Sequence, residues 1–216
     1  MPGSVISITQ QLYRAPESLP TLTLELTDFT SLTAKSISDL KDTLGDGTRL
    51  GIAASYGKKC ILRSLAFSTE TRVLIVVMDG GPEVAVRKKE LLSKELLCDA
   101  SLEKHGFYME RIAAALYLDM GLFIRNAFDV TTSGCRRGSK AAYKGVLEQA
   151  GIEYPLDESV VGKTYVEQRF DRSQQNLLAL RAWTCHVGVK KLPRTLGASI
   201  DTKVKDKEAC CMISHI

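Results

Sequence analysis

The sequence has 216 residues, of which 44% are hydrophobic and 25% charged. This composition is typical of one good-sized globular domain and excludes wholesale disorder. The formal net charge of +4 permits a nucleic-acid partner without requiring one, and the longest apolar run, VLIVVM at 73–78, is too short to span a bilayer, so no membrane partner is expected.

The two ends of the chain are expected to lie outside the folded domain. Residues 1–21 contain Pro2, Pro16 and Pro20 and are expected to form an irregular lead-in. Periodicity is lost after residue 200, so 201–216 are expected to be a loose tail, and a single domain is predicted over 22–200. Within it, TLTLELTDF predicts a strand, and SISDLKDTLG predicts a helix that stops at Gly45.

Three strand-like runs follow in succession, and short polar segments join them. RLGIAAS, KCILRSLAF and RVLIVVM are close enough together to predict an antiparallel meander. The last run shows no alternation of apolar and polar residues, which favours a strand that is covered on both faces.

The second half of the domain alternates predicted helices with short strands. EVAVRKKELLSKE predicts a helix and LLCDA a short strand, and residues 101–121 are expected to be helical because Met109, Ile112 and Leu116 form an apolar stripe before Gly121. FIRNAFDV predicts another strand, and SKAAYKGVLEQAG and SQQNLLALRAWTCHVGVKKL predict helices, the second capped by Ser173. The fold class is therefore α/β, a mixed sheet with helices on both faces.

The six cysteines form no CxxC pair and no zinc-type spacing with histidine. Cys60 and Cys98 lie in apolar runs and are expected to be buried thiols. Because no signal peptide is visible either, we expect an intracellular location, nuclear or cytoplasmic, where thiols stay reduced. Cys210 and Cys211 do not form a prenylation box.

Three stretches carry a resemblance to one family. LGIAASYGKKCILRSLAFSTETRVLIVVMDG resembles the opening three-strand meander of the RNase D-like 3′-5′ exonucleases, and EKHGFYMERIAAALYLDMGLFIRNAFDV resembles their central helix and following strand. SGCRRGSKAAYKGVLEQAG and TCHVGVKKLPRTL resemble the C-terminal helices of fungal members. The resemblance spans roughly residues 22–196 and implies the ribonuclease H-like fold of the DEDD superfamily. It also implies removal of nucleotides from a 3′ end by two divalent metals that four carboxylates hold.

None of the family's carboxylates is present at its expected position. Its DxE motif falls on Ala53 and Ser55, the aspartate of its central helix on Ile112, and its closing tyrosine and aspartate on Thr184 and Gly188. Two Mg²⁺ or Mn²⁺ ions require acidic oxygens, which these side chains do not offer. We therefore predict a degenerate, inactive site that holds no metal and no other cofactor.

An active exonuclease that uses Mg²⁺ or Mn²⁺ on relocated carboxylates is the alternative. Glu110 replaces Ile112 only if the helix is shifted by two residues, and it then points away from the apolar stripe. Asp129, in NAFDV, is also expected as a cap for the turn that follows. Asp79 precedes two glycines, which favours a role in a turn.

An inactive domain of this kind has two predicted uses. It can bind single-stranded nucleic acid through basic residues, since phosphate contacts do not require the catalytic metals. It can also act as a protein adaptor in an RNA-processing or silencing complex, as the resemblance to inactive family members implies. The residues predicted to bind nucleic acid are Arg136, Arg137, Lys190, Lys191 and Arg194, although basic clusters are also common on solvated loops and helix ends.

Overall fold

The computed structural model describes residues 4–6, 21–45, 47–78, 85–130, 145–146, 170–190 and 199–200. The strands in these ranges are β1 Ser4–Ile6, β2 Leu22–Asp28, β3 Arg49–Tyr56, β4 Leu62–Ser68, β5 Arg72–Val77, β6 Glu103–Gly106, β7 Ala127–Asp129 and β8 Ser199–Ile200. The α-helices are α1 Ala34–Lys41, α2 Ala85–Leu92, α3 Met109–Met120 and α4 Arg172–Lys190.

One sheet contains all of these strands, in the order β1-β2-β5-β4-β3-β6-β7-β8. β4 runs antiparallel to both β3 and β5, so the predicted meander is confirmed. β6 runs parallel to β3, and β7 parallel to β6. β2 adds a further parallel strand beside β5. The short strand β1 lies within the segment that we expected to be irregular and pairs with β2.

Helices cover both faces of the sheet, as the sequence predicts. Ile52, Ala54 and Tyr56 of β3 belong to a core cluster with residues of α1, α2 and α3. Ala53, the residue between them, belongs to a second cluster with residues of α4, among them Trp183. This division follows from the alternation of side chains along a strand, and β5 is likewise buried on both faces.

The predicted helix over 101–121 is wrong in its first part. Glu103–Gly106 is strand β6, and the helix begins only at Met109, after Tyr108 adopts a left-handed conformation with φ of 55°. Gly106 permits this arrangement, because a Cβ there would lie 2.8 Å from Cε of Met109. LLCDA is not a strand either, since Ser93–Leu97 continues α2 as a π-helical turn. The predicted stop at Gly121 is confirmed by its left-handed φ of 65°.

Helix α4 lies directly on β3. A Cβ at Gly51 would collide with the carbonyl oxygen of Ala182 and lie 2.8 Å from the backbone nitrogen of His186, so only glycine allows this close approach. The helix begins at Arg172, and Asp171 caps it, since its Oδ1 accepts a hydrogen bond from the Gln174 N–H at 2.9 Å. The predicted cap, Ser173, lies inside the helix.

The expected burial of Cys60 and Cys98 is also wrong. Cys60 is exposed, because it lies at the tip of the β3–β4 hairpin and not within a strand, and Cys98 is half-buried. The buried thiol is that of Cys185, on α4. None of the helices in the described ranges combines the length and apolar character that crossing a bilayer requires.

Candidate functional site

The residues predicted to replace the family's first two carboxylates lie where β3 faces α4. Ala53 is 5% exposed and packs in the cluster beneath α4. Ser55 is 3% exposed, and its hydroxyl is hydrogen-bonded to that of Ser64 on the neighbouring strand. A methyl group and two hydroxyls that satisfy each other thus occupy this part of the sheet, and no anionic oxygen comes from these side chains.

Helix α4 supplies the positions of the closing tyrosine and aspartate. Thr184 is completely buried. Gly188 is buried too, and a Cβ added there would collide with Cγ1 of Val146. The carboxylate is therefore not merely absent at residue 188, because the surrounding side chains fill the space that it would occupy. We call Gly51, Ala53, Ser55, Thr184 and Gly188 the sealed interface.

Ile112 occupies the remaining position of the set. It is 3% exposed and packs in the other core cluster, with Ile52 and Tyr56. The apolar stripe of α3 predicted this burial, and the structure confirms that Ile112 is a core residue. The structure therefore places the five positions predicted to be degenerate in packed surroundings on the two faces of the sheet, and their side chains offer no acidic oxygen to a pair of divalent metals.

Of the carboxylates that the alternative would relocate, only Asp129 has another role in the described ranges. Asp129 is 8% exposed, and its Oδ2 accepts a hydrogen bond from the Met109 N–H at 2.8 Å. It therefore stabilises the first turn of α3, whereas we expected it to cap the turn that follows it. The parallel pairing of Gly106 with Asp129 explains this, since it brings the carboxylate level with the end of β6. Glu110 is exposed, and Asp79 lies outside the described residues.

No group of three or more histidine, cysteine, aspartate or glutamate side chains in the described ranges could hold a metal ion. Burial raises the pKa of Tyr56 and of Cys185, and the nearby guanidinium of Arg181, which is itself only 7% exposed on α4, offsets a small part of each rise. Burial dominates at Cys185 and raises the pKa of its thiol.

A different cluster lies just beyond the sealed interface, at the end of β3. The guanidinium of Arg111, on α3, lies 4.4 Å from the centre of the Tyr56 ring, and its Nη2 lies 3.6 Å from Sγ of Cys60. Lys58, Lys59 and Cys60 form the exposed tip of the hairpin. We call these five residues the hairpin edge. A cation over an aromatic face is a stabilising contact and also presents the charge to a ligand.

The backbone and the tyrosine of the hairpin edge are unusual. Lys59 and Cys60 both have φ of 60°, a left-handed conformation that strains residues other than glycine. The Tyr56 hydroxyl is buried and has no hydrogen-bond partner among the described residues. Burial raises the pKa of Tyr56 to about 12, so this hydroxyl stays protonated and can donate a hydrogen bond. Sequence reasoning missed this cluster, although the pair Lys58-Lys59 between two strands was a visible signal.

The residues predicted to bind nucleic acid stay a prediction. Arg136, Arg137, Lys191 and Arg194 lie outside the described residues, as does the side chain of Lys190, whose backbone ends α4.

Several solved nuclease structures share the fold of this chain. RNase D of Trypanosoma brucei matches with a TM-score of 0.56 and 13% identity, over 83% of this chain and 67% of that one. The EXO domain of Aedes aegypti Nibbler matches with a TM-score of 0.56 and 11% identity, over 84% and 90%. NrnC of Brucella melitensis, bound to pGG, matches with a TM-score of 0.54 and 14% identity, over 79% and 80%.

These matches confirm the predicted fold, which is the ribonuclease H-like fold of 3′-5′ exonucleases. At such low identity they show the fold alone. No protein-family model matches the sequence, and no curated protein matches it at a significant level.

Proposed function

We propose that this chain is an exonuclease-fold domain that has lost two-metal hydrolysis and binds single-stranded nucleic acid without shortening it. The observation that carries the proposal is the sealed interface, where Ala53, Ser55, Thr184 and Gly188 are all buried and none bears a carboxylate. Two-metal catalysis needs acidic oxygens that converge on both ions. Without them, the domain has no means of activating water or of stabilising a leaving 3′ oxygen.

Binding does not need those metals. Phosphate contacts from lysine and arginine supply most of the sequence-independent affinity for nucleic acid. The hairpin edge offers the exposed cations of Lys58, Lys59 and Arg111, the last held over the ring of Tyr56. Binding of pGG to Brucella melitensis NrnC, whose fold this chain shares, supports the choice of nucleic acid as the ligand.

Fluorescence anisotropy with a 5′-labelled single-stranded RNA of twelve uridines tests the binding. We expect the affinity to fall as KCl rises, and the double variant Lys58→Glu/Lys59→Glu to weaken it by about tenfold or more. The slope of log affinity against log salt should become shallower by about 0.7 for each phosphate that the variant no longer neutralises. Lys89→Glu/Lys94→Glu is the matched control, since it makes the same change in charge elsewhere on the surface. Equal affinities in all three proteins would remove the hairpin edge from the binding site.

The same RNA, labelled at its 5′ end and incubated with Mn²⁺, tests the loss of activity. The proposal predicts that the strand keeps its full length. Stepwise shortening that EDTA abolishes would support the rival, an exonuclease with carboxylates from Glu110, Asp79 and Asp129. The Glu110→Gln variant, prepared in the same way, would then distinguish the protein's own activity from that of a contaminating nuclease. The substitution would lower the protein's own activity but leave the contaminant's unchanged.

A further inference from the structure

A second surface, separate from both the sealed interface and the hairpin edge, lies between α2 and the end of α3. It is a groove of about 540 Å³, and its lining includes Val86, Lys89, Glu90, Lys94, Gly121 and Leu122. We call it the α2–α3 groove. Nothing in the proposed function uses it.

Large apolar side chains are exposed around this groove. Val86, in its lining, is 60% exposed, and Leu118, one turn before Leu122, is 61% exposed. Tyr117 and Phe123 are also exposed, and their rings lie 5.3 Å apart. Single exposed apolar residues are ordinary, but Tyr117 and Phe123 contact each other, and exposed apolar side chains that are grouped mark an interaction site.

The walls of the groove are held together by backbone hydrogen bonds. The π-helical turn Ser93–Leu97 closes through the Cys98 N–H, which donates to the Ser93 carbonyl at 2.7 Å. The Arg125 N–H donates to the Leu97 carbonyl at 2.9 Å, which ties the segment after α3 to the end of that turn. The groove is therefore preformed, which reduces the entropy lost when a ligand binds. Single π-turns within helices also occur often at functional sites.

The charge around the groove is mainly positive. Lys89 and Lys94 line it and Arg125 is exposed close by, and the described ranges contain no ion pair made by any of the three. Among the nearby acids, Glu90 lines the groove, and Glu95 is paired with Lys41 at 3.4 Å. A partner that brings acidic side chains therefore gains attraction here.

These features discriminate among occupants. A second copy of this chain, docked groove to groove, would bring two mainly basic surfaces together, and like charges repel. A nucleic acid would find only Tyr117 and Phe123 to stack on, and it would leave the exposed aliphatic side chains of Val86 and Leu118 without an apolar partner. An amphipathic helix matches both the apolar floor and the basic rim.

We propose that the α2–α3 groove docks a helical segment of a protein partner, with leucine or aromatic anchors on one side of the helix and aspartate or glutamate on the other. The lining of this groove includes no residue of the hairpin edge, so we expect one protein to hold both ligands at once.

Peptide display against the full chain tests the proposal. A library of random 16-residue peptides is selected on the wild-type protein, and the recovered peptides are titrated by fluorescence anisotropy. We expect them to combine acidic residues with leucine, phenylalanine or tryptophan and to bind Lys89→Glu/Lys94→Glu and Leu118→Ser at least about tenfold more weakly than the wild type. Lys58→Glu/Lys59→Glu, the matched control, is expected to bind them with unchanged affinity.

Several results would overturn the proposal. They are failure to recover any peptide, recovery of basic peptides, and recovery of peptides that bind the groove variants as tightly as the wild type. Weaker RNA binding by Lys89→Glu/Lys94→Glu would also overturn it, because the groove would then serve nucleic acid. RNA binding by the wild type is measured in a separate experiment. A failed peptide selection would therefore not contradict the proposed function, and a failure to bind RNA would not contradict the docking of a helix in the groove.

Discussion

Strand β3 runs through two regions of opposite character within a few residues. In the sealed interface, Gly51, Ala53 and Ser55 lie against α4 with almost no exposed surface. At the hairpin edge, Tyr56 is followed at once by exposed Lys58, Lys59 and Cys60. Both regions belong to a chain with the fold of a nuclease, but the first is closely packed and its side chains carry no charge, whereas the second is exposed and basic. The proposed loss of hydrolysis and the proposed binding surface are therefore compatible within adjoining segments.

Restoring a carboxylate to the sealed interface is expected to have the largest effect. Ala53→Asp buries a charge in an apolar cluster, so we expect the free energy of unfolding to fall by about 3 kcal/mol or more. Urea denaturation measures this, with the exposed Ala100→Asp as the control that should change it by less than about 0.5 kcal/mol. If Ala53→Asp were as stable as the wild type and bound Mn²⁺, the interface would be an open site.

The close approach of α4 to β3 is tested at Gly51. Gly51→Ala forces a methyl group against the Ala182 carbonyl, so we expect a loss of about 2–4 kcal/mol in the free energy of unfolding. Gly57→Ala is the matched control at the open end of the strand, because the nearest atoms to its new Cβ would lie 3.9 Å away. Similar losses in the two variants would contradict the contrast between the regions.

The pH dependence of stability tests whether water is excluded from the strand next to the sealed interface. His105 pairs with Gly51 in the sheet, and burial lowers its pKa to about 4, although its contact with Glu103 raises the pKa and Arg49 lowers it further. Between about pH 4 and 6.5 the imidazole of His105 is protonated in the unfolded chain but neutral in the folded protein. The free energy of unfolding therefore rises with pH across this window.

The expected loss from this residue is about 2–3 kcal/mol on going from pH 6.5 to pH 4. Urea midpoints measured at both values, for the wild type and for His105→Gln, isolate its share, because glutamine does not titrate. An equal pH dependence in the two proteins would mean that water reaches the imidazole of His105.

Asp129 gives the smallest expected effect and separates a structural role from a catalytic one. Asp129→Ala removes the acceptor of the Met109 N–H, so we expect the free energy of unfolding to fall by about 1–2 kcal/mol. Asp129→Asn keeps an acceptor oxygen and should recover part of that loss. A variant that kept its stability but lost Mn²⁺-dependent shortening of RNA would make this carboxylate a metal ligand instead.

The periodic spacing of apolar residues in the sequence predicted most of the fold. The meander, the two-sided burial of β5 and the stop at Gly121 follow from apolar patterning and from glycine, which act locally. Strand β6 was missed because EKHG is short and polar, and it becomes a strand only through its pairing with β3. Cys60 was misplaced for a related reason, since the end of a strand at a hairpin depends on the register of its partner.

Of the candidate site, the sequence predicts only that carboxylates are lacking. Given the resemblance, Ala53 and Gly188 stand at two positions where acidic residues are expected. Other features of the site involve residues that are far apart in the chain. Val146 fills the space beside Gly188, the buried guanidinium of Arg181 lies near Tyr56, and the guanidinium of Arg111 contacts the Tyr56 ring. Such contacts depend on how distant segments pack together, and no local sequence pattern predicts them.

Calorimetric titration of the purified chain with Mn²⁺, at neutral pH and without nucleic acid, tests the central claim most directly. Four carboxylates around two ions would give a saturable isotherm with two bound ions per chain. Because the corresponding positions are apolar, hydroxyl-bearing or filled by neighbouring side chains, we predict heats no larger than those of dilution up to millimolar Mn²⁺. A two-site isotherm of micromolar affinity would contradict the account.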